Sequence, residues 1–106
     1  MENGVLVITE VLTPAGIVVV LAGQADVLDS GRLVEALMQR LPMGVTKLIV
    51  DVAQLAYMDS MAMRALMMAA RVLRNRGGKL TLLQPREAVR RVLQITGADT
   101  LMLIQA

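Results

Sequence analysis

The chain has 106 residues, 56% of them apolar, and its 11 basic and 9 acidic residues leave a net charge of +2. That is enough apolar material for one domain with a real core, which excludes disorder, and too little charge to mark a polyanionic partner. Without a single Cys or His there is no thiolate or imidazole ligand and no Ser-His or Cys-His pair, which excludes most zinc enzymes and the common nucleophilic hydrolases.

No apolar run approaches the roughly 18 to 20 residues needed to span a bilayer, so no membrane insertion is expected. The opening Met1-Glu2-Asn3-Gly4 lacks the basic stretch of a secretory signal, so export is not suggested and a cytoplasmic location is the expectation. Tyr57 is the sole aromatic residue, and the basic residues are scattered from Arg32 to Arg91. Without stacking rings or a basic patch, nucleic acid is not an expected partner.

In chain order, Val5 to Ile8 reads as a short strand, followed by a turn at Thr13-Pro14-Ala15-Gly16. Ile17 to Ala22 is rich in Val and Ile and predicts a central strand with Val18 and Val20 buried. Asp29 or Ser30 can cap a helix whose apolar stripe is Leu33, Val34, Leu37, Met38 and Leu41, ended by Pro42 and Gly44. Lys47 to Val52 is a further strand, with Leu48 and Val50 inward.

A long helix runs from about Ser60 to Arg76 and stops at Gly77-Gly78. Lys79 to Leu83 is the next strand. Arg86 to about Thr96 is a helix with Ala88, Val89, Val92 and Leu93 inward and Gly97 as its stop, and Leu101 to Ile104 closes the chain as a strand. The fold class is therefore α/β: one mixed, largely parallel sheet of four to five strands packed by about three to four helices, all in a single domain, residues 1–106.

The chemistry concentrates where the strand Lys47–Val52 leads through Tyr57-Met58 into Asp59-Ser60 at the start of a helix. Free backbone N–H groups and the positive end of the helix dipole favour a phosphate there. On the residues alone, an ordinary helix cap at Asp59 or Ser60 is the favoured reading, since caps are the usual role of these residue types. Within the helix, Ala62, Leu66, Ala69, Ala70 and Leu73 share the face expected on the sheet, and Arg64, Arg71 and Asn75 lie opposite. Met61, Ala65, Met68 and Val72 form a second apolar stripe. This is either the buried flank of the helix or, beside Arg64, an adaptable protein-docking surface.

Four segments, taken together and in order, resemble the STAS family, the domain of bacterial anti-sigma-factor antagonists. They are Gly23-Gln24-Ala25-Asp26, Leu48-Ile49-Val50-Asp51 with Tyr57-Met58-Asp59-Ser60, Gly77-Gly78-Lys79-Leu80, and Val89 through Gly97. The resemblance covers nearly the whole chain. It implies a binding module rather than an enzyme, with no cofactor and no metal. It further implies that Ser60 is phosphorylated by a kinase that is itself the anti-sigma factor, that a phosphatase reverses this, and that Asp59 and Asp26 are acidic neighbours of the phosphosite. The docking residues would then be Met61, Arg64, Ala65 and Met68.

One departure is plain: the family's Asp-Ser-Ser/Thr-Gly becomes Asp59-Ser60-Met61-Ala62. The second hydroxyl is lost, and a residue with a Cβ replaces Gly. Stressosome-type members of the family also carry a bulky apolar residue after the Ser. A constitutive structural subunit, stressosome or transporter-associated, with Ser60 only a cap, is the competing reading. A response-regulator receiver fails because Glu10 stands alone after the first strand where an acidic pair would hold magnesium. An enzyme fails for want of paired carboxylates or a cofactor loop.

Overall fold

The computed structural model describes residues 5–106, so the reading of Met1-Glu2-Asn3-Gly4 lies outside the described residues. Strand β1, Leu6–Thr13, turns through Pro14-Ala15 into β2, Gly16–Ala25, and the two pair antiparallel. The Thr13 hydroxyl ties the turn, donating to the Gly16 carbonyl at 2.9 Å and accepting the Ala15 N–H at 3.2 Å. Three parallel steps follow. Helix α1, Ser30–Gln39, leads to β3, Lys47–Met58; α2, Ser60–Asn75, leads to β4, Lys79–Leu83; α3, Glu87–Thr96, leads to the short β5, Leu103–Gln105. The order across the sheet is β1-β2-β3-β4-β5. The result is the mixed, mostly parallel five-stranded sheet with three helices that the sequence pattern predicts. Among the described residues, no helix is long and apolar enough to cross a membrane.

Each parallel connection moves one strand further in the same direction. Right-handed crossovers, the near-universal hand for this unit, then place all three helices on one face. Burial agrees. Leu48, Val50 and Val52 of β3 and Leu80 and Leu82 of β4 are fully buried under the helices, whereas Ile49, Asp51 and Thr81, pointing the other way, are only half-buried. The same alternation corrects one expectation: in β2 it is Val19 and Leu21 that fill the core, while Val18 and Val20 sit half-buried on the far face. A strand that is apolar on both sides gives no sequence signal for which side is inside.

Strand β3 runs far beyond Val52, and two register shifts against β2 explain how. Val20 pairs with Asp51 but Ala22 with Gln54, and Gly23 pairs with Leu55 but Gln24 with Tyr57. Each shift adds a residue to β3 and re-phases its alternation. Leu55 and Met58 therefore turn inward, and Tyr57 turns out. Asp51 supports the first shift: its Oδ1 accepts the Ala53 N–H at 3.0 Å. Strand β1 is likewise longer than expected, reaching Thr13, and Glu10 on it meets Arg40 Nε at the end of α1 at 2.8 Å.

Helix α2 ends as its glycines require. Gly77 has φ +78, its N–H donates to the Arg74 carbonyl at 2.9 Å, and Gly78 N–H reaches the Leu73 carbonyl at 2.8 Å, the paired bonds of a Schellman stop. Two further expectations are corrected. The last strand is Leu103–Gln105 rather than Leu101–Ile104. Ala88 is exposed on α3, leaving Val89 and Leu93 as that helix's buried residues.

Candidate functional site

The carboxyl ends of β2 and β3 deliver two acidic residues to one corner of the molecule. Asp59 N–H donates to the Ala25 carbonyl at 3.0 Å, which sets the start of α2 beside Asp26. Each carboxylate then caps its own helical turn. Asp59 Oδ1 accepts the Ala62 N–H at 2.9 Å at the start of α2. Asp26 Oδ1 accepts the Leu28 N–H at 2.9 Å, and Asp29 Oδ2 accepts the Asp26 N–H at 3.0 Å, a reciprocal box around the single turn Val27–Asp29. Asp29 Oδ2 is thus spent on that turn; the side chain makes no capping hydrogen bond into α1, and its other oxygen meets Arg32 of that helix at 3.7 Å. Ser30 donates its hydroxyl back to the Val27 carbonyl at 3.0 Å. Neither residue caps α1 as the sequence suggests.

Ser60 is the first helical residue of α2, and it is exposed. Because Asp59 is the cap, the Ser60 hydroxyl has no capping duty. It stands at a helix N-terminus, where unpaired N–H groups favour added negative charge. The two acidic side chains of the same corner oppose it.

Next to Ser60 lies a shallow groove between α1 and α2, lined by Ser30, Val34, Met61, Arg64, Ala65 and Met68. Met61 and Met68 are 41% and 45% exposed, and Arg64 is exposed at the lip. Ala65 is wholly buried. It forms the floor of the groove where α1 packs along α2, and Val72 further along the same stripe is half-buried. The apolar stripe read from the sequence therefore divides: small Ala65 lets the two helices approach, and the two Met side chains remain available. Sequence reasoning missed the α1 side of the groove. Its only signal is small Ser30-Gly31 in the first turn, followed by Val34 one turn on.

The family model described as Mlab, STAS domain, matches residues 8–105. The chain belongs to the STAS-domain family. Among solved structures, this STAS domain is similar to an anti-sigma factor antagonist from Mycobacterium paratuberculosis, with a TM-score of 0.83 and 18% identity over 95% of this chain and 86% of that one. It is similar to the anti-sigma factor antagonist SpoIIAA in its unphosphorylated form, with a TM-score of 0.67 and 25% identity over 96% and 89% of the two chains. A third similar structure is the Bacillus cell fate determinant SpoIIAA in its phosphorylated form, with a TM-score of 0.62 and 24% identity over 96% and 92%. No curated protein matches the chain significantly.

Proposed function

We propose that this STAS domain, taken as the whole of residues 1–106, is an anti-sigma-factor antagonist: a cytoplasmic, phospho-switched protein-binding module. It sequesters an anti-sigma kinase while Ser60 is unphosphorylated. The kinase moves the γ-phosphoryl group of ATP to Ser60 Oγ, releasing ADP and the hydroxyl proton, and a phosphatase restores the free hydroxyl by hydrolysis. One observation carries the reading: Ser60 is exposed at the head of α2, with its helix capped by a neighbour rather than by itself, and is followed in the chain by Met61, which lines the groove. The existence of SpoIIAA in both phosphorylated and unphosphorylated forms supports it.

In this scheme Met61 and Met68 supply adaptable apolar contact, and Arg64 a charge at the lip. Phosphate would add about −1.5 to −2 charges beside Asp59 and Asp26, so its effect falls on binding rather than on the fold. The test pairs two variants. Ser60→Asp should weaken the partner by adding charge and Met68→Ala by removing contact, each with an almost unchanged melting temperature. Titration calorimetry reads the affinities, and mass spectrometry of protein from cells should find phosphate on Ser60. Unchanged affinity in both variants would move the docking site elsewhere.

A second reading is favoured by Met61-Ala62 standing where the family pattern has a hydroxyl and Gly. Here Ala62 is fully buried and Met61 is 41% exposed. In that reading the domain is a constitutive structural subunit. Cells would then hold the protein wholly unphosphorylated while it remains bound to its assembly.

A further inference from the structure

The three helices cover only one face of the sheet, and the other carries an apolar band flanked by Thr9, Lys47, Asp51, Lys79 and Thr81. Strands of parallel sheets that read as continuous apolar runs are normally buried from both sides. Here Val18, Val20 and Ile49 lie half-buried on the uncovered face, and Val7, Val11 and Leu103 lie 52%, 44% and 49% exposed around them. The register shows that these side chains belong to one face: Val7 is opposite Ala22, Val11 opposite Val18, Val18 beside Ile49, Ile49 beside Thr81, and Thr81 beside Leu103. Among the described residues no element covers this face.

We infer that this face pairs with the same face of a second copy of the chain, forming a back-to-back sheet dimer. The charges on β3 select that occupant, with Lys79 of β4 beside Lys47 as a further cation at the rim of the face. Lys47, Ile49 and Asp51 project from the same side of the strand, with the apolar residue midway between opposite charges. A two-fold axis crossing the strands at Ile49 would run the two β3 strands antiparallel. It would set Ile49 on Ile49 and each Lys47 against the partner's Asp51, the self-complementarity an isologous interface demands. Among the described residues, neither Lys47 nor Asp51 has an ion pair within its own chain.

Size is consistent with a reversible contact. Strand rise and spacing give a face of roughly 600 Å² per copy, hence about 1,200 Å² buried in all, the lower edge of specific interfaces. The helical layer, with Ser60, faces outward on both copies. The inference therefore stands apart from the switch and does not depend on it.

Sedimentation velocity on the full chain, over a roughly hundredfold concentration range around micromolar, should show passage from monomer to dimer. Ile49→Glu places two carboxylates at the axis and should raise the dissociation constant at least about a hundredfold, with the helical circular dichroism and melting transition retained. Val11→Lys, on the edge strand and already exposed, should weaken the dimer too, and serves if the first variant unfolds.

Lys47→Gln and Asp51→Asn, the latter keeping the acceptor for Ala53, should each weaken association about fivefold, since symmetry repeats the pair twice. The double variant should be no weaker than the weaker single one. A chain that stays monomeric throughout overturns the inference. So does a dimer indifferent to Ile49→Glu and Val11→Lys, or one dissociated instead by Met68→Glu on the helical side.

Discussion

Asp59 and Ser60 are adjacent and look interchangeable as caps, but the backbone separates them. Asp59 is extended at φ −89 and ψ 177, and Ser60 is already helical. Asp59→Ala should therefore cost about 0.5 to 2 kcal/mol, the usual value of a lost N-cap. Ser60→Ala should shift stability by less than about 0.5 kcal/mol, as exposed substitutions without a structural duty do. Urea titrations of both variants read the difference directly; a Ser60→Ala loss equal to that of Asp59→Ala would make Ser60 a structural residue after all. Two glycines make a second contrast. A Cβ at Gly97 would meet open space, so Gly97→Ala feels only the left-handed backbone at φ +77 and should cost about 1 kcal/mol. A Cβ at Gly78 would lie 1.9 Å from the Thr46 carbonyl oxygen, backbone that cannot swing aside. Gly78→Ala should cost clearly more, measured as a larger drop in denaturation midpoint. The sequence made Asp59, Ser60 and both glycines visible. It could not divide the capping between two adjacent polar residues, because either residue type satisfies the same pattern.

At the scale of elements, sequence periodicity located α1, α2, α3 and β4 well and β3 badly. Between Ala53 and Met58 the apolar positions follow no two-residue repeat, so the segment reads as a connection. Two bulges make it a strand, carry Leu55 and Met58 inward, and aim Asp59 at the start of α2. A bulge erases the alternation by which strands are recognised. Arg76 shows a different limit. In the sequence it is one more basic residue at a helix end. In the fold its guanidinium donates to the carbonyls of Leu41 at 2.9 Å and of Pro42 and Val45 at 3.0 Å, closing the loop from α1 to β3 against the end of α2. Arg76→Ala should cost about 1.5 to 3 kcal/mol, the range for hydrogen bonds to a charged donor. Arg76→Lys should recover only part, because an ammonium cannot reproduce the forked donor geometry. Thermal melts of the three proteins test the order, and a full rescue by Lys would show that charge alone matters.

For the whole molecule, the layer arrangement decides what was legible. The strand and helix pattern fixes an α/β sheet with parallel steps, yet composition cannot say that every helix falls on one side. That follows from strand order, which only the pairing reveals. The candidate site depends on the same arrangement, since its groove needs α1 beside α2. The unidirectional order has another consequence, in time rather than space. Each strand pairs only with those made immediately before and after it, so no strand must be inserted between two already joined. Loop closures stay short along the chain, and their entropy grows only slowly with length. The main folding phase should accordingly fall in the millisecond range expected of mixed α/β domains, as stopped-flow refolding would register. A sheet of this topology can also be laid down strand by strand from its amino end, each new edge receiving the next segment as the ribosome releases it.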